Sequence, residues 1–166
     1  MSYILEGMCY AGKTTLGKML GEALNIPSMD SRDLFTQKYS ISENEYLKKL
    51  GREQFKEAEK QTLYHDFSNM VFSLGGSAIY YPDEMQMLKE KCTLIWLNVP
   101  FEVIEYRKSL EDWERPIVFP DGIETFKQLY EQRYELYKKC HNIEIQVSAS
   151  DTPKDVINMI LKHIRD

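Results

Sequence analysis

The residues with the clearest chemistry lie near the amino end, where positions 7–14 read G-x-x-x-x-G-K-T. This spacing is typical of a phosphate-binding loop. Gly7 and Gly12 allow the backbone to curl so that several N–H groups point at one anion. Lys13 can reach the outer phosphates of a nucleoside triphosphate as a point charge, and the hydroxyl of Thr14 can bind the accompanying magnesium ion. The loop therefore predicts a nucleotide and magnesium site.

The segments on either side of this loop strengthen that interpretation. Residues 3–5 form a short β-prone run, and residues 14–24 carry apolar side chains at the spacing of an amphipathic helix. The amino end of that helix adds a positive dipole end to the anion site. The alternative is a glycine-rich turn that matches by chance, and the strand and helix argue against it. The predicted nucleotide-binding residues of the loop are Gly7, Met8, Cys9, Tyr10, Ala11, Gly12, Lys13, Thr14 and Thr15.

Length and composition limit the class of protein. The 166 residues favour a single domain over residues 1–166, and the net charge of −5 argues against a general nucleic-acid binder. No apolar run approaches the length of a membrane span, and the amino end lacks a signal-peptide pattern. Cys9, Cys92 and Cys140 show no metal-site spacing and predict free thiols. We therefore expect a cytoplasmic monomer or weak dimer that binds small molecules.

Strands alternate with helices along the whole chain. The strands are predicted near residues 3–5, 26–30, 70–74, 93–99 and 143–147, and helices fill most of the intervals, including 52–66 and 123–140. This alternation predicts an α/β fold, in which a five-stranded parallel sheet is covered by helices on both faces in three αβα layers. Ligands of such sheets bind beyond the carboxyl ends of the strands. Asp30, Gly75, Gly76 and Arg115 should therefore converge on the loop.

With these elements placed, the chain resembles the shikimate kinase family, within the wider group of small P-loop kinases that act on metabolites and nucleoside monophosphates. The resemblance runs over nearly the whole length and rests on residues 7–14, 30–32, 51–59, 74–77, 115–116 and 132–134. It implies an ATP-dependent and magnesium-dependent kinase that transfers the γ-phosphate of ATP to a hydroxyl of a small anionic metabolite.

The resemblance also implies roles for single residues on the ATP side of the site. Lys13 and Thr14 would hold ATP and magnesium, and Arg115, in a lid at about 111–122, would close over the phosphates. Arg107 would pack on the adenine, although its offset from Arg115 is one residue longer than in the family. The turn that ends at Pro153 would flank the adenine on the other side.

On the acceptor side, Asp30 matches the first acid of the D-x-D motif, near metal and substrate. It is predicted to bind magnesium with Thr14 and to orient or deprotonate the acceptor hydroxyl, so the predicted catalytic residues are Lys13, Asp30 and Arg115. Gly75 and Gly76 match the glycine turn that approaches the substrate. Arg133 matches an arginine that binds the substrate carboxylate. The substrate-binding helices are predicted at about 31–66.

Three acceptor-side positions depart from the family pattern. Arg32 replaces the second acid of D-x-D, Lys56 replaces an arginine, and Leu74 replaces the first glycine of G-G-G. Asp33 lies next to the missing acid, but successive helical residues point about 100° apart. Arg32, Asp33 and Lys56 are therefore included as predicted substrate-binding residues of an altered pocket. The extra positive charge of Arg32 and Lys56 would suit a more anionic acceptor than shikimate.

Structural explanations compete with several of these roles. Asp30 can serve only as a helix N-cap, Arg32 and Lys56 can be solvated surface residues, and Arg133 can pair with nearby glutamates on its own helix. Two other functions also stay open. One is a kinase of the same fold for a gluconate-like, nucleoside or nucleoside monophosphate acceptor. The other is a nucleotide-binding module without kinase activity.

Overall fold

A parallel sheet forms the centre of the molecule. The computed structural model describes residues 1–113 and 115–166. Its five strands are β1 (Tyr3–Glu6), β2 (Ser28–Asp30), β3 (Val71–Ser73), β4 (Thr93–Asn98) and β5 (Ile143–Gln146). They lie in the order β2-β3-β1-β4-β5, and every pairing is parallel. The predicted fold class is confirmed, and β1 leads into the phosphate-binding loop from the middle of the sheet.

Eight α-helices accompany the sheet in the described part of the chain. They are α1 (Lys13–Leu24), α2 (Ser31–Tyr39), α3 (Glu43–Leu50), α4 (Arg52–Thr62), α5 (Pro82–Lys91), α6 (Phe101–Leu110), α7 (Phe126–Lys139) and α8 (Pro153–Arg165). A 3-10 turn covers Ala78–Tyr80. None of the helices in these two described ranges is long and apolar enough to cross a bilayer.

Two helix boundaries differ from the sequence prediction. The helix predicted over 52–66 ends at Thr62, whose hydroxyl donates a hydrogen bond of 2.6 Å to the carbonyl of Glu59. The helix predicted over 123–140 begins only at Phe126, because Thr125 and Gln128 form a reciprocal capping box. In both places a local polar side chain sets the boundary, and the apolar periodicity does not reveal it.

The core lies on both faces of the sheet because neighbouring strand residues point in opposite directions. Leu5 belongs to the apolar cluster shared with α1 and α8, whereas Ile4 belongs to the cluster on the opposite face, which includes residues of α5 and α7. Both side chains are fully buried. This double coverage fixes the carboxyl edge of the sheet, from which the site is built.

A smaller aromatic cluster holds α2, α3 and α4 together. Phe35 lies at its centre, with ring centroids 4.7 Å from Tyr39, 5.3 Å from Tyr46 and 5.7 Å from Phe55. Such pairs contribute about 0.5–1.5 kcal/mol each beyond the area they bury. The cluster therefore orients α2 and the start of α3 as one unit beside the carboxyl ends of β2 and β3.

Candidate active site

The phosphate-binding loop follows β1 and ends at the first turn of α1. Gly7 has a φ of +146°, and a Cβ atom there would lie 2.9 Å from the carbonyl oxygen of Leu97. Only glycine suits that conformation and that close approach. The ammonium group of Lys13 donates to the carbonyl oxygens of Gly7 (2.6 Å) and Met8 (2.7 Å). The lysine is thus held inside the loop, where phosphates would be bound.

The environment of Lys13 changes its acid–base chemistry. Burial is the main reason that its pKa falls from the usual value to about 8, and the positive charges of Arg133 and Arg115 act in the same direction. A bound polyphosphate would oppose this shift, because a nearby negative charge stabilises the ammonium form. The loop is therefore electrostatically suited to an anionic ligand.

Asp30 combines a structural contact with a site contact. Its Oδ1 atom accepts hydrogen bonds from the backbone N–H groups of Arg32 (2.9 Å) and Asp33 (3.0 Å), so it is the N-cap of α2. Its Oδ2 atom accepts a hydrogen bond of 3.3 Å from the hydroxyl of Thr14. Oδ1 therefore caps the helix, while Oδ2 of the same carboxylate faces Thr14 in the site.

Thr14 and Asp30 offer the hard oxygen ligands that magnesium prefers. Within residues 1–113 and 115–166 no group of three or more His, Cys, Asp or Glu residues could hold a metal ion alone. Magnesium usually keeps several waters and binds through one or two protein groups together with substrate phosphates. The donor set present at Thr14 and Asp30 fits that mode of binding.

A first cleft, the nucleotide cleft, runs along the loop toward the end of β5. Arg107 and Pro153, which were predicted to flank the adenine, both line it, together with residues 10–15 of the loop. A guanidinium nitrogen of Arg107 donates a 3.0 Å hydrogen bond to the carbonyl of Tyr10. The structure therefore brings the predicted adenine-flanking residues to one cleft despite the longer offset between Arg107 and Arg115.

A second cleft, the acceptor cleft, opens between the loop, α2 and α4. Cys9, Asp30, Gly75, Gly76 and Arg133 line it, as does Arg115. The predicted convergence of the strand ends is therefore present in the geometry.

Arg133 is a buried side chain, with 2% of its surface exposed. Its Nε has no hydrogen-bond partner, and it forms no ion pair with Glu131 or Glu135. Its guanidinium group lies 5.3 Å from the ring centroid of Tyr80. A terminal nitrogen donates a 3.7 Å hydrogen bond to the Cys9 thiol, but no ion pair of Arg133 is found in the described part of the chain. Since a buried charge without a counter-ion is costly, this arginine is placed for an anionic partner that enters the cleft.

Gly76 makes room for Arg133. A Cβ atom on Gly76 would lie 2.7 Å from a guanidinium nitrogen of that arginine. The hydroxyl of Tyr137 donates a 2.7 Å hydrogen bond to the carbonyl of Gly76 and fixes the turn. The third position of the G-G-G motif therefore sets the position of the buried cation, and Leu74 lines the cleft beside it.

Two predicted acceptor residues lie elsewhere. Asp33 is exposed on α2 and does not line the cleft. The Lys56 ammonium lies 3.9 Å from a carboxylate oxygen of Glu53, and Lys56 is likewise outside the cleft lining. Arg32, by contrast, lines it. Of the two added cations, only Arg32 changes the charge of the cleft walls, and substrate binding by Asp33 or Lys56 stays a prediction.

Two glutamates of the acceptor cleft were not singled out from the sequence. Glu43 begins α3, and burial together with the negative charge of Glu59 raises its pKa to about 7. The Glu59 carboxylate accepts hydrogen bonds from the Ser77 hydroxyl at 2.5 and 2.7 Å, and burial raises its pKa as well. Glu43 resembles any acid in a first helical turn, so only the packing of α3 against the cleft reveals it.

The Arg115 segment lies over the loop. The guanidinium of Arg115 lies 4.2 Å from the ring centroid of Tyr10 and is hydrogen-bonded to the carboxylate of Glu111. Arg115 lines both clefts, as a lid arginine would. The predicted lid interval of about 111–122 includes position 114, which lies outside the described residues.

Comparison with known proteins agrees with this geometry. The family model described as shikimate kinase matches residues 10–165. The shikimate kinase of Streptococcus gordonii is 31% identical, over 96% of this chain and 98% of that one, and the shikimate kinase of Enterococcus faecalis is 29% identical over 99% of both chains. The structure of the Acinetobacter baumannii shikimate kinase in complex with shikimate superposes with a TM-score of 0.85 at 25% identity, covering 99% of this chain and 93% of that one.

Proposed function

The chain belongs to the shikimate kinase family, and we propose that it phosphorylates a hydroxyl group of a carboxylate-bearing acceptor of the shikimate type. It is an ATP-dependent small-molecule kinase that uses magnesium and acts on a small anionic metabolite. The proposal concerns the acceptor and the residues that bind it, for which the acceptor cleft supplies the argument.

The observation that carries the proposal is that Arg133 is buried and has no counter-ion among the described residues. Its guanidinium lines the cleft beside Gly76, and its Nε lacks a hydrogen-bond partner. A guanidinium group matches a carboxylate through two parallel hydrogen bonds. A carboxylate of the acceptor would therefore pair with a cation that is buried without an ion pair among residues 1–113 and 115–166.

The reaction follows from the remaining side chains. Lys13 and Arg115 would stabilise the negative charge of the transferring phosphoryl group, and the loop N–H groups would bind the phosphates of ATP. Thr14 and Asp30 would hold the magnesium ion, whose charge offsets that of the phosphates when it is bound. Asp30 would also orient the acceptor hydroxyl. Catalysis then consists of positioning and charge stabilisation, as is usual in phosphoryl transfer.

The other functions considered from the sequence are not favoured. For the acceptor, the family model described as shikimate kinase, which matches residues 10–165, favours the shikimate type over a gluconate-like, nucleoside or nucleoside monophosphate acceptor. A binding module without activity would have no need of Lys13, Thr14 and Arg115 placed together around one site. That the enzyme works in the cytoplasm as a single-domain monomer or weak dimer stays a prediction, and a sedimentation mass well above a dimer would contradict it.

The proposal can be tested by measuring ATP consumption with shikimate and with shikimate methyl ester, in which the carboxylate is masked. We expect kcat/KM to be about 10- to 100-fold higher for the acid, because a hydrogen bond to a charged group contributes about 1.5–3 kcal/mol. Arg133→Gln should remove most of this preference. Arg133→Lys, which keeps the charge, should retain part of it.

The control is Arg165→Gln, which removes a charge from an exposed position at the end of α8. It should leave both substrates unaffected. Equal use of the acid and the ester by the wild-type enzyme would contradict the assignment of Arg133, and the absence of turnover with shikimate would contradict the proposed acceptor type. A thermal denaturation curve for each variant separates loss of binding from loss of folding.

A further inference from the structure

Among the described residues, four side chains line both the nucleotide cleft and the acceptor cleft. They are Lys13, Thr14, Arg32 and Arg115. A phosphoryl group that moves from ATP to the acceptor must pass the boundary between these clefts. Lys13, Thr14 and Arg115 are proposed to bind phosphate and magnesium there, whereas Arg32 was predicted only to bind the acceptor.

The Arg32 guanidinium is accessible to a further anion. It lies in the first turn of α2 with 43% of its side-chain surface exposed, and one terminal nitrogen is 3.7 Å from Asp30 Oδ2. That distance exceeds a direct hydrogen bond. Within residues 1–113 and 115–166 this is the only ion pair of Arg32, and an arginine has five N–H donors, which leaves donors for an anion in the cleft.

The aromatic ring of Trp113 links Arg32 to Arg115. The guanidinium groups of the two arginines lie 5.5 Å and 5.3 Å from the centroid of that ring. Stacking on an aromatic ring holds a guanidinium plane in place without using its hydrogen-bond donors. Both arginines are therefore held at the cleft boundary by a residue of the Arg115 segment.

Charge decides what such a group can contact. An acid at position 32 would repel a phosphoryl group, whereas an arginine attracts it and matches its oxygens with a fork of donors. The acceptor carboxylate already has a buried partner in Arg133. The unassigned anion at the boundary of the two clefts is then the transferring phosphoryl group.

We propose that Arg32 is a further catalytic residue, whose guanidinium contacts the phosphoryl group during transfer, and this inference rests on the proposed kinase reaction. In that reaction the bond from the γ-phosphorus to the β,γ-bridging oxygen breaks, and ADP leaves with the electron pair. A bond from the γ-phosphorus to the acceptor oxygen forms, and the hydroxyl proton passes to a carboxylate of the acceptor cleft. Arg32 forms no covalent bond and stabilises the charge on the moving group.

The test compares wild type with Arg32→Gln in three measurements: kcat and KM with shikimate, affinity for Mg-ADP, and affinity for Mg-ADP with aluminium fluoride, which mimics the transferring phosphoryl group. We expect kcat and the affinity for the fluoride complex to fall by about 10- to 100-fold, which is at or below the lower limit of the roughly 100- to 1,000-fold effect of losing one transition-state donor, because Arg32 is partly exposed. Affinity for Mg-ADP alone should change less than about threefold, because ADP lacks the group that Arg32 contacts.

The matched control is Lys38→Gln, which removes one charge from the last turn of the same helix and should leave all three values unchanged. Arg32→Lys should recover part of kcat, and Arg32→Asp should lower it below that of Arg32→Gln. A rise in the KM for shikimate at constant kcat would overturn the proposal, because Arg32 would then bind the acceptor. Unchanged values in Arg32→Gln would also overturn it.

The measurement with aluminium fluoride separates the test of Arg32 from the test of the proposed acceptor. If wild type formed the fluoride complex but did not phosphorylate shikimate, the proposed acceptor would fail, and the effect of Arg32→Gln on that complex would still decide the role of Arg32. If shikimate were phosphorylated with equal kcat by wild type and Arg32→Gln, the role of Arg32 alone would fail.

Discussion

At the scale of single residues, the lowered pKa of Lys13 makes nucleotide binding depend on pH. Burial lowers the pKa of Lys13 to about 8 in the free enzyme, and bound phosphates should raise it again. Above pH 8, Lys13 is mostly neutral in the free enzyme and charged in the nucleotide complex, so nucleotide binding takes up a proton. We expect affinity for Mg-ATP to fall as the pH rises from 8 to about 10, by up to tenfold per unit. Calorimetry in two buffers of different ionisation enthalpy measures the proton uptake.

The matched control for that measurement is Lys18→Met, since Lys18 is an exposed residue of the same helix. It should leave the proton uptake intact, whereas Lys13→Met should abolish it and most of the activity. Binding at pH 9 without proton uptake would show that Lys13 keeps its charge in the free enzyme. Full activity in Lys13→Met would contradict the proposed role of Lys13.

At the scale of elements, the two oxygens of Asp30 allow the cap of α2 to be separated from the chemistry. Asn is as good an N-cap as Asp, whereas Ala costs about 1 kcal/mol. The free energy of unfolding of Asp30→Asn should therefore lie within about 0.5 kcal/mol of the wild-type value. Its kcat should nevertheless fall strongly, because the side chain beside Thr14 loses its negative charge. Asp30→Ala should lose both stability, by about 1 kcal/mol, and most of kcat. Urea denaturation and steady-state kinetics measure the two effects, and an active Asp30→Asn enzyme would leave Asp30 with the cap alone.

At the scale of the whole molecule, an acidic protein carries a cationic site. The net charge is −5, yet in the described lining of the acceptor cleft four cations (Lys13, Arg32, Arg115 and Arg133) outnumber three carboxylates. Clefts focus the local potential and attract a ligand of opposite charge. Raising the salt from about 0.02 M to about 0.5 M should therefore increase the KM for shikimate several-fold, because screening weakens this attraction.

The neutral methyl ester of shikimate is the control for the salt measurement, and its KM should depend on salt much less. If the KM for shikimate fell as salt rose, the net negative charge of the protein would repel the acceptor more strongly than the cleft cations attract it, which would contradict this prediction. Lys162→Gln, an exposed change on α8, should leave the salt dependence of wild type unaltered.

Much of the fold and part of the site could be predicted from local patterns. The glycines and Lys13 specify the loop because its backbone conformation and its charge depend on those residue types, and the β1 and α1 patterns place it between a strand and a helix. The alternation of strands and helices predicts the parallel sheet, since parallel strands need helical crossovers. The predicted end of α4 and the predicted start of α7 were wrong by a few residues. Hydrogen bonds of Thr62 and Thr125 set these boundaries, at Thr62 and Phe126, and the apolar periodicity does not.

The sequence by itself determined the loop, the α/β class and the residues that follow each strand, because those features depend on near neighbours along the chain. Only the tertiary structure decided which of the charged residues enter the clefts. Arg32 and Glu43 line them, whereas Lys56 lies apart next to Glu53. The packing of α2, α3 and α4 around Phe35 sets these directions. Those contacts join residues far apart along the chain, so no local pattern encodes them.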